Sequence, residues 1–149
     1  MTTTLVTGGA GYIGSHMVLS LRDAGRQVVV FDDLSTGHRD AVPPDVPFVE
    51  GDVGDVALVA RTLKRHQVST VVHFAGSISV EESVRAPLDY YTNNVANTCA
   101  LIKACVEAGR PRVRPKSAAT RKVPPRKLAP TESESCCVTA HSTRGAGRR

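Results

Sequence analysis

The chain has 149 residues, of which 41% are hydrophobic and 22% are charged, and its formal net charge is +5. This length suits one domain of ordinary size and is too short for two full ones. No apolar run approaches the roughly 18 to 20 residues of a membrane-spanning helix, so a membrane protein is not expected. The first residues contain neither a charged start nor an apolar stretch of signal-peptide length, which predicts a cytoplasmic location.

The charge is distributed unevenly along the chain. Residues 110–149 contain 11 of the 19 Lys and Arg residues and only 2 of the 14 Asp and Glu residues. The same segment has no Phe, Trp or Tyr and holds five of the nine prolines, so it cannot bury enough apolar surface to offset the entropy of ordering it. We therefore expect a folded domain over residues 1–109 and a basic, disordered tail over residues 110–149.

Two other classes of function receive little support from the composition. The basic segment would attract phosphates at low salt, but it lacks aromatic residues for base stacking and any nucleic-acid-reading motif, so specific nucleic-acid binding is not expected. The cysteines are Cys99, Cys105, Cys136 and Cys137. They form no C-x-x-C pair and follow no secretory start, which favours free thiols over a metal site or a disulfide framework.

Short apolar runs and amphipathic stretches alternate through the first 109 residues. Strands are predicted at residues 5–6, 28–31, 48–49 and 70–74, and helices at residues 12–24, 55–66 and 88–108. This order predicts an α/β fold, a Rossmann-like doubly wound parallel sheet. Residues 110–116, rich in Arg and Pro, have the wrong chemistry for a buried strand. We therefore expect the sheet to be truncated after strand four and its following helix, with the outer edge of strand four open.

A glycine-rich turn lies between the first strand and the first helix. Residues 7–14 read Thr-Gly-Gly-Ala-Gly-Tyr-Ile-Gly, which matches both spacings of the dinucleotide-binding fingerprint. Glycine permits the tight turn and the close approach of backbone to a pyrophosphate, and the helix N-terminus offers free N–H groups to phosphates. A flexible turn is the alternative, but the flanking strand and helix favour dinucleotide binding.

An acidic residue stands where such a site requires one. Asp32 closes the buried run 28–31 and comes 18 residues after Gly14, at the carboxyl end of strand two. A carboxylate there accepts hydrogen bonds from ribose hydroxyls and repels a 2′-phosphate, which favours NAD over NADP. The neighbouring Asp33 could share this role or be simply solvated, and Asp32 could alternatively be a helix-capping or loop carboxylate.

Several motifs together resemble a known family. Besides the glycine turn, they are Phe48-Val49-Glu50-Gly51-Asp52-Val53, His73-Phe74-Ala75-Gly76, Glu82-Ser83 and the stretch from Pro87 to Val95. In this order and spacing the chain resembles the extended short-chain dehydrogenase/reductase family, and within it the NAD-dependent nucleotide-sugar epimerases that interconvert UDP-glucose and UDP-galactose at C4 through a 4-keto intermediate. The resemblance covers residues 4–109, where we expect it to stop.

The resemblance implies a set of cofactor-binding residues. Gly8, Gly11, Tyr12, Ile13 and Gly14 would line the pyrophosphate, Asp32 and Asp33 the ribose, and Asp52 and Val53 the adenine. Phe74, Ala75 and Gly76 would pass under NAD, and Asn94 would hold the last turn near it. A loop cap is the alternative for Asp52. No catalytic role is expected for His16 or His73. Many relatives carry Lys where this chain has Ile78, so a cofactor-contacting ammonium is missing.

The resemblance also exposes what this sequence lacks. The family's general base is the Tyr of a Tyr-x-x-x-Lys motif, and none of the three tyrosines here has Lys four residues later. The resemblance therefore implies that this chain is an amino-terminal fragment of an epimerase and is inactive alone. UDP-sugar binding and homodimer formation are expected only of the full-length relatives. A nucleotide-sugar dehydratase or reductase, or a non-catalytic nucleotide-binding fragment, is the alternative. The sudden surplus of Arg, Pro and Ala from Arg110 suggests an unrelated tail produced by a frameshift.

Overall fold

The fold is a single parallel sheet covered by helices. The computed structural model describes residues 2–109 and 112–115. Its strands are β1 (Thr3–Thr7), β2 (Gln27–Asp32), β3 (Phe48–Glu50), β4 (Val68–His73) and β5 (Arg112–Pro115). They are ordered β3-β2-β1-β4-β5, and all four neighbouring pairs are parallel. The predicted Rossmann-like α/β class is confirmed.

The helices agree with the predicted ones to within about two residues. They are α1 (Tyr12–Asp23), α2 (Val56–Arg65), α3 (Val80–Arg85), α4 (Pro87–Tyr91) and α5 (Asn97–Glu107), with a short 3-10 helix over Arg39–Ala41. The helix predicted over residues 88–108 is α4, a π-helical turn (Thr92–Ala96) and α5 in succession. Helix α3 was not predicted because six residues are too few to show a helical period.

The strands bury side chains on both faces of the sheet. Along β1, Leu5 faces one core and Val6 faces the other, and both are fully buried. The first core is completed by α2 and α5, which contribute Val59, Leu63, Leu101, Ala104 and Cys105. The second core contains Val18 of α1. This arrangement explains the unbroken apolar run in β2, because a central parallel strand has no polar face.

The expectation that the sheet ends at strand four is wrong. Strand β5 pairs with β4, with Thr70 opposite Arg112 and Val71 opposite Val113, so the outer edge of β4 is covered. Val113 packs against the core while Arg112 is exposed. Among the described residues β5 is the last strand of the sheet and pairs on one side, and edge strands tolerate charged residues and Pro. The Arg-Pro composition therefore indicated an edge strand, not the absence of a strand.

Strand β5 also lies beyond the domain boundary expected at residue 109. The remainder of the expected tail, residues 110–111 and 116–149, falls outside the described residues, and so do Cys136 and Cys137. Of the other two cysteines, Cys99 is exposed and Cys105 is buried, and both are free thiols. Burial raises the pKa of the Cys105 thiol, which keeps it protonated at neutral pH.

Candidate functional site

A cavity of about 460 Å³ lies beyond the carboxyl ends of the strands, between the glycine turn and the loop after β4. This is the position at which open parallel sheets bind ligands. Twelve of the thirteen residues predicted from the sequence line it: Gly8, Gly11, Tyr12, Ile13, Gly14, Asp32, Asp33, Asp52, Val53, Phe74, Ala75 and Gly76. The thirteenth, Asn94, contacts the loop that forms the cavity wall.

The glycine turn is packed so closely that side chains would not fit at two of its positions. Gly8 has φ +68°, and a Cβ there would lie 2.5 Å from the backbone nitrogen of Ala75. A Cβ on Gly14 would collide with the carbonyl oxygen of Gly8. Gly11 differs, because its added Cβ would meet only the Gly8 carbonyl oxygen, at 3.4 Å. Gly8 and Gly14 therefore hold the turn together, whereas Gly11 leaves open space on the cavity side.

The first turn of α1 presents backbone donors to this space. Gly11 is the N-cap, and neither a capping side chain nor an acidic residue in the first turn satisfies the helix end. The N–H groups of Tyr12, Ile13 and Gly14 have no acceptor within an α-helix, because that partner would lie before its start. Together with the helix dipole, these donors form a seat for an anionic group such as a pyrophosphate.

Asp32 connects the glycine turn to the loop after β2. Its side chain is buried, with 7% of the residue exposed. Oδ2 accepts from the Ala10 backbone N–H at 2.9 Å, and Oδ1 accepts from the Leu34 N–H at 2.9 Å. A carboxylate oxygen has two lone-pair sites, so each oxygen can accept one further hydrogen bond from a ligand in the cavity. Asp32 is thus a loop carboxylate that also faces the cavity.

The other two aspartates are more exposed than Asp32. Asp33 accepts from both the backbone N–H and the hydroxyl of Ser35 through Oδ1, at 3.0 and 2.7 Å. Asp52 accepts through Oδ1 from the Gly54 N–H at 2.7 Å and from Asn97 Nδ2 at 3.0 Å. The cap role considered for Asp52 is therefore real. Because both of its bonds fall on Oδ1, the cap leaves Oδ2 available to a ligand.

The wall opposite the aspartates contains residues that were not among the predicted cofactor-binding residues. Ser77, Ile78, Ser79, Glu82 and Asn93 all line the cavity. Asn94 reaches the same wall from behind, accepting from the Ser77 N–H at 2.8 Å and donating to the Ser77 carbonyl at 2.9 Å. The adjacent amides Asn93 and Asn94 were the only sequence feature that pointed to this contact. No sequence pattern predicts the π-helical turn that lets both side chains bond Ser77.

The cavity carries negative charge without a basic side chain. Among the residues that line it in the described chain, Asp32, Asp33, Asp52 and Glu82 are acidic and none is Lys or Arg. Ile78, where a Lys was expected from the resemblance, is 78% exposed on the wall. An anionic ligand must therefore bind to backbone N–H groups and to neutral side-chain donors, while the carboxylates select hydroxyl and amine donors. Residues 2–109 and 112–115 contain no cluster of His, Cys, Asp or Glu that could hold a metal ion.

Comparison with known proteins identifies the family. A model of the NAD dependent epimerase/dehydratase family matches residues 4–139. The chain belongs to this family. The match of the family model continues past residue 109, where we expected the resemblance to stop, whereas several relatives align over only 69% to 72% of this chain. The frameshifted origin of the tail stays a prediction.

Individual family members show the same relationship. The chain is 53% identical over 132 residues to a UDP-glucose 4-epimerase of Azospirillum brasilense, covering 85% of this chain and 38% of that protein. It matches the crystal structure of a Brucella ovis UDP-glucose 4-epimerase in complex with NAD, with a TM-score of 0.70 and 45% identity over 72% of this chain and 33% of the other. It also matches the crystal structure of a Streptomyces venezuelae dTDP-glucose 4,6-dehydratase with NAD bound. The TM-score is 0.69 and the identity 36%, over 75% of this chain and 38% of the other.

The family members are much longer than the described fold. This chain spans between about a third and two fifths of the length of these three relatives. Within the part of the chain that the structure describes, no helix is long and apolar enough to cross a membrane.

Proposed function

We propose that this chain binds NAD through the adenosine diphosphate half of the cofactor. The observation that carries the proposal is the order of groups in the cavity: backbone N–H donors lie at the start of α1, and carboxylate acceptors follow at the ends of β2 and β3. This order matches a pyrophosphate followed by a ribose with two hydroxyls and a base with an exocyclic amine. Asp32 and Asp33 would face the ribose, and Asp52 the adenine amine.

The glycine turn supports the same assignment. Gly11 provides open space beside the anion seat, and the close packing of Gly8 and Gly14 fixes its shape. Bound NAD supplies the hydride-accepting nicotinamide on which the family's chemistry depends. We further propose that the activity to which this chain belongs is the cytoplasmic epimerisation of a UDP-sugar at C4, as in the relatives named UDP-glucose 4-epimerase.

Catalysis by these 149 residues alone is not part of the proposal. The sequence contains Tyr12, Tyr90 and Tyr91 and no Tyr-x-x-x-Lys motif. A tyrosine base needs a lowered pKa, whereas desolvation and the nearby Glu82 carboxylate raise the pKa of Tyr90. A nucleotide-sugar dehydratase is the second candidate, favoured by the similarity to the Streptomyces enzyme. The two candidates share this half of the cofactor site.

Calorimetric titration of the whole chain tests the proposal. We expect NAD to bind weakly, with a dissociation constant of roughly 100 μM or higher, because the residues assigned here contact only the adenosine diphosphate half of the cofactor. ADP-ribose should bind about as well as NAD. NADP should bind at least about tenfold more weakly, because its 2′-phosphate would face the carboxylates of Asp32 and Asp33.

An activity assay on UDP-galactose completes this test, with the full-length Azospirillum enzyme as the positive control. We expect that the chain alone gives no conversion to UDP-glucose. Equal affinity for NAD and NADP would contradict the assignment of Asp32, and measurable turnover would contradict the expected inactivity.

A further inference from the structure

A continuous chain of hydrogen bonds runs beneath the cavity from β1 to α5. Thr7 Oγ1 lies 2.7 Å from His73 Nδ1, and His73 Nε2 lies 3.1 Å from Thr98 Oγ1. The Thr98 hydroxyl in turn donates to the carbonyl oxygen of Asn94 at 2.7 Å. Thr7 is completely buried and directly precedes Gly8 of the glycine turn. These bonds therefore link the floor of the cavity to the helical segment behind its wall.

The arrangement determines which nitrogen of His73 carries the proton. A threonine hydroxyl has one hydrogen, and Thr98 gives its hydrogen to the Asn94 carbonyl. Thr98 can then only accept from His73, so Nε2 must be protonated. When the ring is neutral, the other nitrogen, Nδ1, is an acceptor and takes the hydrogen of the Thr7 hydroxyl. With the ring neutral, these three bonds thus share one direction of donation, from Thr7 through His73 and Thr98 to the Asn94 carbonyl.

This chain of hydrogen bonds ends on Asn94, whose side chain also holds the cavity wall. In the π-helical turn, Asn94 bonds the Ser77 N–H and carbonyl, and Asn93 Nδ2 donates to Ser77 Oγ at 2.7 Å. A Cβ on Gly76 would lie 3.0 Å from Asn94 Oδ1, so the loop that contains Gly76 and Ser77 packs directly against the Asn94 amide. Any shift of the helical turn that carries Asn94 must therefore move the Ser77 loop.

We propose that His73, as its Nε2–H tautomer, is a positioning residue that fixes the π-helical turn and thereby the Ser77 wall of the cavity. It is not among the residues that line the cavity, and it acts through Thr98, Asn94 and Ser77. Its effect on NAD affinity rests on the proposed function. Its effect on the Ser77 loop does not.

Three variants separate the two hydrogen bonds of the ring. Thr98→Val removes the acceptor of the Nε2–H bond and keeps the β-branched shape. His73→Asn keeps an acceptor near the position of Nδ1 but cannot reach Thr98, whereas His73→Gln places an amide nitrogen near the position of Nε2. Thr92→Val is the matched control, because Thr92 is an exposed threonine of the same helical segment.

Two nuclear magnetic resonance measurements on the unliganded chain test the inference directly. The long-range ¹H–¹⁵N spectrum of the His73 ring should show protonation at Nε2. The Ser77 amide should exchange about fivefold to tenfold faster in Thr98→Val and His73→Asn, the effect of losing one hydrogen bond. It should stay within about twofold of wild type in His73→Gln and Thr92→Val. NAD affinity should follow the same order.

The possible outcomes separate this inference from the proposed function. Protonation at Nδ1, or equal Ser77 exchange in Thr98→Val and Thr92→Val, would overturn the role of His73 whether or not NAD binds. If wild type binds no NAD while the tautomer and the exchange rates are as expected, the proposed function fails and the positioning role is supported. Failure of His73→Gln to restore slow exchange would show that His73 acts only by filling space.

Discussion

Replacing Asp32 by alanine is expected to destabilise the fold and to weaken NAD binding at the same time. The substitution leaves the backbone N–H of Ala10 without its acceptor in a buried site and that of Leu34 without its acceptor in a half-buried one. An unsatisfied buried donor costs about 1–3 kcal/mol, so the free energy of unfolding should fall by roughly 2–4 kcal/mol. Binding should weaken by a further 1–3 kcal/mol or so, the contribution of a charge-assisted hydrogen bond.

Asp33→Ala is the matched control for this experiment. Asp33 is exposed, and its carboxylate bonds only the neighbouring Ser35, so its loss should change the free energy of unfolding by no more than about 0.5 kcal/mol. Chemical denaturation followed by circular dichroism gives the stability of both variants, and calorimetry below the denaturing range gives their NAD affinity. Equal stability losses in the two variants would mean that Asp32 does not hold the glycine turn to the β2 loop.

Alanine at two neighbouring glycines is expected to have opposite consequences. In Gly14→Ala the new Cβ collides with the Gly8 carbonyl, which is backbone and cannot move aside, so we expect a loss of at least about 3 kcal/mol of stability. Gly11 has φ −78° and ψ 168°, which alanine adopts without strain, and its nearest contact is at 3.4 Å. Gly11→Ala should therefore fold with wild-type stability or slightly better.

The methyl group added by Gly11→Ala would occupy the open space beside the helix N-terminus. NAD affinity should therefore fall at least about tenfold in Gly11→Ala although the protein remains folded, a loss of about 1.4 kcal/mol or more. Thermal melting and calorimetry on both variants provide the comparison. A Gly11→Ala protein that binds NAD like wild type would show that the cofactor does not approach this turn, and a stable Gly14→Ala protein would show that the turn is looser than described.

The sequence predicted the central strands and the position of the cavity because both depend on local patterns. The run Val28–Phe31 is apolar at every position, and a strand covered on both faces requires that pattern. The glycine spacing and Asp32 are adjacent in space because they follow neighbouring parallel strands. Such features could be read from residue types and spacings alone.

The features that were missed depend on context that one segment does not carry. Strand β5 could not be identified from Arg112 and Pro115, because only its place at the edge of the sheet makes their composition acceptable. The loop role of Asp32 was considered as an alternative, but its partners, Ala10 and Leu34, could be named only from the structure. The hydrogen bonds to Ser77 could not be predicted, because they depend on a π-helical turn that brings Asn93 and Asn94 to this loop from 16 and 17 residues away.

A titration of the ¹⁵N-labelled chain with NAD, followed residue by residue, tests whether this cavity is the cofactor site. We expect the amide signals of Gly11 to Gly14, Asp32 to Leu34 and Asp52 to Val53 to shift with a single saturating curve. Gly25 and His66, which lie away from the cavity, should not move. Shifts confined to other residues, or a complete absence of shifts at millimolar NAD, would contradict the assignment of this cavity as the cofactor site.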